Sequence, residues 1–404
     1  MKPLQKVIAN RFRDRNLPIA VVLPDGGRVQ LSDAPEVDIY ARTWNGLKVL
    51  ASPEMGRLAR AYVHNDIDFS GGARRILGIA EALVGRVAHG HERFSAGART
   101  WLSRLRGNKA NIQHHYDVSN GFYKLWLDER MVYSCAYFRS ESDTLDQAQQ
   151  QKLDHICRKL MLAPGEELLD IGCGWGGLLF HAAQVYGARA TGITLSQNQY
   201  DHVKARIAEL GLGDRVRVQL LDYLDLPEDR HYDKIASIGM FEHVGIHYYG
   251  RYFGKIQRLL KPGGLVLNHG ITHNWIASGS ALGSGIGAFV DEYVFPGGQL
   301  AHVGRVIQGL ATEGLELIDA EALREHYART LWHWTERLEA NGEAARREVG
   351  EERFRIWRIY LAGSAHAFDR GWLSIFQLLA GKPLADGRLP HPATRDYMYA
   401  GHTR

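Results

Sequence analysis

Hydrophobic and polar positions divide this chain into a front stretch of short alternating runs and a longer stretch where apolar strands alternate with amphipathic helices. Residues 17–31, LPIAVVLPDGGRVQL, hold a β-rich run, a Pro-Asp-Gly-Gly turn and a second alternating run, which is the pattern of a hairpin. VDIYARTWNGLKVLA continues as a strand and then turns helical, and PEMGRLARAYVHNDIDFSG reads as a short helix closed by an Asn-Asp turn. The front portion ends near residue 85, and no internal repeat is evident.

From about residue 145 the pattern changes. LDQAQQQKLDHICRKLML predicts a helix that stops at Pro164-Gly165, and ELLDIG is the first strand after it. RATGITL, RVRVQLLD, YDKIASIG and GLVLNHG follow as strands two to five, separated by segments of helical length. Such alternation builds a parallel sheet from βαβ units, so the expected class is α/β. The stretch 300–360 reads as mainly helical and leads to a last strand near WLSIFQLLAG. Glycine and serine in SGSALGSGIGAF (278–289) predict a mobile loop, or else close packing under a helix.

Composition narrows the setting. The 404 residues are 45% hydrophobic and 23% charged, as in an ordinary folded protein. No apolar run approaches the ~20 residues that span a bilayer, and the basic start MKPLQKVIANRFRDR lacks the apolar core of a secretory signal. Cys135, Cys157 and Cys173 are odd in number and lack CxxC spacing, which favours reduced thiols in the cytoplasm over disulfides or a zinc site. A net charge of +4 calls for no nucleic acid. Its distribution is more informative: Arg86, Arg93, Arg99, Arg104, Arg106 and Lys109 face only Glu92 within 86–109. That segment suits an anionic membrane surface, at ~1 kcal/mol per basic residue, and equally suits a solvated helix and linker.

ELLDIGCGWGG (167–177) carries the chemistry of a ligand loop. A strand runs into Asp170, then Gly172, Gly174, Gly176 and Gly177, then a helix. Glycines there let backbone approach a ligand at the C-terminal edge of a parallel strand. A dinucleotide enzyme would place an acid at the end of the second strand, but GITLSQNQ offers Thr194 and Gln199 instead. The third strand ends in Asp222-Tyr223, suited to an adenine amine and ring. Asp-x-Gly-x-Gly-x-Gly resembles the first motif of class I methyltransferases, where the loop cradles the amino-acid end of S-adenosylmethionine.

HHYDVSNGFYKLWLDERMVYSCAYF (114–138), SIGMFEHVG (237–245), LKPGG and HYARTLWHW (326–334) add to LDIGCGWGG and GITLSQNQ. Together, over roughly residues 110–385, they resemble the cyclopropane fatty acid synthases and related mycolic acid methyltransferases. The resemblance implies a Rossmann-like class I methyltransferase sheet, mostly parallel with about seven strands and helices on both faces. It also implies a smaller N-terminal α+β domain that engages lipid, at residues 1–105, with the catalytic domain at 106–404. Matching positions imply that Tyr133, Ser134, Asp170, Gly172, Gly174, Thr194, Gln199, Asp222 and Tyr223 contact S-adenosylmethionine. Cys135, Glu242, His269, Ile271 (through backbone) and Tyr327 match the family's pocket for bicarbonate, with no substitution. The implied substrate is an unsaturated phospholipid acyl chain at the inner face of the membrane, and a homodimer stays open.

The chemistry explains these residue types. An alkene attacks the sulfonium methyl group and leaves positive charge on the neighbouring chain carbon. Ring closure then removes a proton from the new methyl. A small anion held by Glu242, His269 and Tyr327 supplies the base, while Tyr133, Tyr137 and Phe138 offer aromatic faces to the cation, at ~0.5–2 kcal/mol. Each residue alone has a plainer reading: Cys135 as packing, Glu242 as a helix cap, His269 as a satisfied core histidine, Tyr327 as packing. His114 and His115 have no metal-ligand spacing around them, so no metal is expected. The aromatics of 322–334 and 353–378 are ordinary core at helical spacing, or else the lining of an acyl tunnel. Other outcomes share the motifs: a methylene- or methyl-branched acyl product, a small-molecule N- or C-methyltransferase, or a lipid-binding protein with a relict cofactor site.

Overall fold

The computed structural model describes residues 17–84, 118–274, 286–293 and 300–399. The basic segment 86–109, the expected boundary at 105/106, His114, His115 and most of the loop 278–289 lie outside them.

The front stretch forms the expected hairpin, β1 (Ile19–Val22) against β2 (Arg28–Gln30). Strand β3 (Val37–Ala41) pairs parallel to β1, and β4 (Ile67–Phe69) closes the order β2-β1-β3-β4. Three residues carry no visible period, so β4 was not foreseen. Helix α1 (Trp44–Ala51) starts where the Thr43 side chain accepts the Gly46 N–H, satisfying one otherwise unpaired donor. Helices α2 (Met55–Val63) and α3 (Ala73–Val84) complete a core around Ile19, Val21, Ile39, Leu47 and Ile76.

The remainder begins with α4 (Asn120–Lys124) and α5 (Leu145–Lys159), the latter opened by a capping box in which Thr144 and Gln147 bond reciprocally. β5 (Glu167–Ile171), α6 (Gly177–Val185), β6 (Arg189–Thr194), α7 (Gln197–Glu209) and β7 (Val216–Leu220) follow. β8 (Tyr232–Ile238), α8 (Tyr249–Leu259), β9 (Leu260–His273), α9 (Ile286–Tyr293) and α10 (Val303–Thr312) come next. β10 (Glu316–Ala322), α11 (Arg324–Ala340), α12 (Gly342–Asp369), β11 (Leu373–Gly381) and α13 (Asp396–Tyr399) complete the described residues. The seven strands order as β10-β11-β9-β8-β5-β6-β7. β7, β6, β5, β8 and β9 run parallel in sequence, and β11 pairs antiparallel with both β9 and β10. Apolar clusters cover the sheet on both faces, as an α/β sheet requires.

The stretch 300–360 is mainly helical, as expected, apart from ELIDAEA, which forms β10 along the sheet edge. α12 is also broken at Gly350, whose φ of 82° no helix accepts. Chain direction changes side between β5 and β8, and in open α/β sheets such a switch point opens a crevice at the strand ends. The front unit docks on α12: the guanidinium of Arg355 donates to Tyr62 O at 2.9 Å and Asp68 at 3.0 Å, and that of Arg358 donates to the Tyr62 hydroxyl at 2.9 Å.

Candidate active site

A cavity of about 430 Å³ occupies that crevice. Gly172 and Gly174, at φ 80° and 54°, turn the β5–α6 loop through the left-handed region and leave its backbone open to a ligand. All nine positions expected to contact a cofactor line the cavity: Tyr133, Ser134, Asp170, Gly172, Gly174, Thr194, Gln199, Asp222 and Tyr223. Several are already fixed by their neighbours. The Thr194 hydroxyl donates to Gln199 Oε1 at 2.7 Å, and Asp222 Oδ1 accepts the Leu224 N–H at 3.0 Å. The Tyr223 ring stands edge-on to Tyr252, centroids 5.4 Å apart.

The sequence reading missed Lys152. Lys152 lines the cavity, its Nζ donates to Ser134 Oγ at 2.8 Å, and the side chain is buried. Burial pulls it down to about 8. Asp170 lines the same cavity, its Oδ1 buried without a partner, and burial pushes its carboxyl up to about 7. A buried ammonium and a buried carboxyl at one end of the cavity complement a zwitterionic amino acid. The signal was available: within α5 the buried stripe runs Leu145, Ala148, Gln149, Lys152, Ile156 and Lys159, and two lysines interrupt an apolar helix face. His243 and Arg251 also line the cavity and were likewise missed.

None of the five anion-pocket candidates lines this cavity; Cys135, Glu242 and His269 adjoin residues that do, whereas Ile271 is linked to it through Glu242 and Tyr327 through Trp334. Cys135 follows Tyr133 and Ser134. It is fully buried, and its Sγ lies 3.8 Å from the carbonyl of Leu323, which also accepts the Tyr327 N–H at 3.0 Å. Burial pushes the thiol well up, so it is neutral. The Tyr327 ring packs edge-on against Trp334, which in turn lies 5.2 Å from the Tyr133 ring. Glu242 sits on a turn after β8, next to His243. Its Oε1 accepts the Ile271 N–H at 2.7 Å, while Oε2 is buried without a partner and burial pushes the carboxyl up to about 7. Ile271 therefore orients Glu242 through the backbone donor that the sequence reading assigned to an anion. His269, fully buried two residues earlier on β9, leaves Nε2 without a partner. Gly270 between them is a further residue the sequence reading missed. A Cβ there would overlap the Phe241 ring and press on Glu242, so only glycine lets that turn lie against β9.

Two aromatic expectations are corrected. Tyr137 is stacked between His155 and His326, at 4.4 and 4.8 Å, and the Phe138 ring carries the Arg329 guanidinium at 4.0 Å. Their faces are occupied, and Tyr133 alone of the three lines the cavity. Trp332, Trp334, Phe354, Trp357, Tyr360 and Phe368 are buried in one cluster with Cys135 and Tyr327, as core at helical spacing predicts.

The family model for mycolic acid cyclopropane synthetase matches residues 103–378. The chain belongs to this family. A probable fatty acid methyltransferase of Pseudomonas putida is 44% identical over 384 residues, 95% of this chain and 97% of the relative. The tuberculostearic acid methyltransferase of Mycobacterium tuberculosis is 33% identical, covering 92% of this chain and 90% of its own length. A mycolic acid cyclopropane synthase solved with SAH and CTAB superposes with a TM-score of 0.64 at 34% identity, over 68% of this chain and 98% of that one. This synthetase-family chain is a class I S-adenosylmethionine-dependent methyltransferase, and its cavity, glycine loop and Asp170–Lys152 pair fit that methyl donor.

Proposed function

We propose that this protein transfers a methyl carbon from S-adenosylmethionine to the cis double bond of a phospholipid-bound unsaturated acyl chain and closes a cyclopropane, with bicarbonate as base. The observation that carries this reading is the pair of unpartnered buried atoms, Glu242 Oε2 and His269 Nε2, beside the cofactor cavity. Leaving such atoms unpaired costs ~1–3 kcal/mol each, which simple methyl transfer gives no reason to retain. They fit a small oxyanion, held by His269 and Tyr327 as donors with Cys135, Glu242 and Ile271 around it.

When bound, S-adenosylmethionine supplies an electrophilic methyl group and bicarbonate a proton acceptor. The chain's own residues do the rest. Asp170 and Lys152 bind the amino-acid end of the donor, and Ser134 is fixed by Lys152. Tyr133, backed by Trp334 and Trp357, presents an aromatic wall to the charge that develops on the acyl carbon. Ile271 holds Glu242 in place, and the buried cluster around Cys135 and Tyr327 excludes water that would trap the cation as an alcohol. Attachment at an anionic membrane surface, through the front unit and the basic segment 86–109, belongs to the same proposal, as does a homodimer.

A second reading keeps the site and changes the fate of the cation, which after a hydride shift loses a proton from the new methyl group and gives a methylene-branched chain, the precursor of a methyl-branched acid. The full-length likeness to a tuberculostearic acid methyltransferase favours keeping it. Incubation with methyl-labelled S-adenosylmethionine and unsaturated phospholipid vesicles tests both. Label in the acyl chain is expected, with NMR separating ring from branch. Label that goes only to an added amine, never to lipid, rejects both readings.

A further inference from the structure

Gln377 lies directly opposite His269 across the β9–β11 ladder, and Glu321 lies directly opposite Gln377 on β10. These three polar side chains form a row across one face of the sheet, beneath α5. Gln377 is fully buried and its Nε2 stands 3.4 Å from His269 Nδ1. We propose that Gln377 is a positioning residue that holds neutral His269 with its proton on Nε2, so that the ring donates toward the anion site; this rests on the reading of that site given above.

With its nitrogen turned toward the ring, as it stands, Gln377 donates and Nδ1 accepts, and a neutral imidazole then carries its proton on Nε2. The reversed amide, whose Oε1 is the buried atom without a partner, would put the proton on Nδ1, and the imidazole ¹⁵N spectrum separates the two. The surroundings keep the ring neutral. Burial pulls His269 well below the usual histidine range, and the cations Lys152 and Lys159 push in the same direction. Glu321 opposes them, but its carboxylate is engaged by Lys159 at 2.6 Å and His155 at 2.8 Å. With the ring kept neutral by burial and, after it, by the α5 lysines, the remaining variable is which nitrogen bears the proton. Gln377 decides it.

The direct test is the imidazole ¹⁵N spectrum of histidine-labelled full-length protein, with His269 assigned by its loss in His269→Gln. The expected wild-type result is a pyridine-type Nδ1 and a pyrrole-type Nε2. Gln377→Glu replaces the donor with an acceptor, so Nδ1 should become pyrrole-type. kcat should then fall at least about tenfold with KM for S-adenosylmethionine unchanged, a split that general loss of packing would not give. Gln377→Met, which removes the donor without adding charge, should also lower kcat. A wild-type proton on Nδ1, or wild-type kcat in both folded variants, overturns the assignment. The wild-type spectrum decides the matter even if a variant fails to fold. Failure of the underlying anion-site reading is seen separately, as wild-type turnover indifferent to removal of dissolved bicarbonate.

Discussion

The cofactor cavity and the polar cluster beside it are built in opposite ways. The cavity takes most of its wall from successive βα turns of one sheet, and its polar side chains mostly hold one another: Thr194 with Gln199, Asp222 with Leu224, Ser134 with Lys152. The cluster joins Glu242 to Ile271 and His269 on β9, with Cys135 and Tyr327 in the apolar core that Ile271 packs against, and leaves Glu242 Oε2 and His269 Nε2 buried and unpaired. Asp170 Oδ1 is the cavity's own unpaired atom, the one the proposed function gives to the donor's ammonium. A binding surface can satisfy itself before its ligand arrives. A surface that moves a proton cannot, because its groups must stay available to the reacting partner.

The largest contrast should come from Glu242→Gln. Turnover should fall by roughly 10²–10³, while affinity for SAH changes little, measured by single-turnover kinetics and calorimetry. The same change should stabilise the protein at high pH. The folded carboxyl of Glu242 titrates at about 7, above its unfolded value, so the stability of its neutral form is intact below the unfolded range and is lost as pH rises through about 7. Glutamine removes that loss, by as much as about 3 kcal/mol. The melting temperature of the variant should therefore pull ahead of the parent between pH 5 and pH 8. A gap that stays constant across that range would place Glu242 in a solvated setting and remove the contrast.

Lys152→Met addresses the cavity. Losing a buried charged donor should weaken SAH binding by roughly 10- to 100-fold in calorimetry, with kcat at saturating donor reduced far less. An unchanged affinity would remove Lys152 from the cofactor site. Gly270→Ala is expected to act most mildly. The added methyl should displace Phe241, costing ~1–3 kcal/mol in chemical denaturation, and lower kcat by shifting Glu242 while SAH affinity holds. If SAH affinity falls instead, the two regions share more structure than their construction suggests.

The same contrast explains what the sequence made legible. The strands from β5 to β9 and the glycine loop were readable because each is local: an apolar run, a turn, a helix of the right period. Asp170, Thr194, Gln199, Asp222 and Tyr223 lie at the ends of such runs, and all of them line the cavity. The cluster is non-local, and only the family resemblance joined Cys135 to Tyr327. β4 and β10 were hidden by shortness and by the charges of an edge strand. Lys152 was overlooked because a lysine in a glutamine-rich helix reads as solvated, although its place in the stripe with Leu145 and Ile156 argued for burial. The faces of Tyr137 and Phe138 were misassigned because what covers them, His326 and Arg329, comes from nearly two hundred residues further along the chain.

The central claim is that this site removes a proton from the methyl group it has just delivered. The most direct test supplies S-adenosylmethionine with a fully deuterated methyl group to the protein and unsaturated phospholipid, and weighs the acyl product by mass spectrometry. The account predicts that two of the three deuterium atoms are retained, whether the cation closes to a ring or ends as a methylene branch. Retention of all three would mean that an intact methyl group is transferred and kept, and would contradict it.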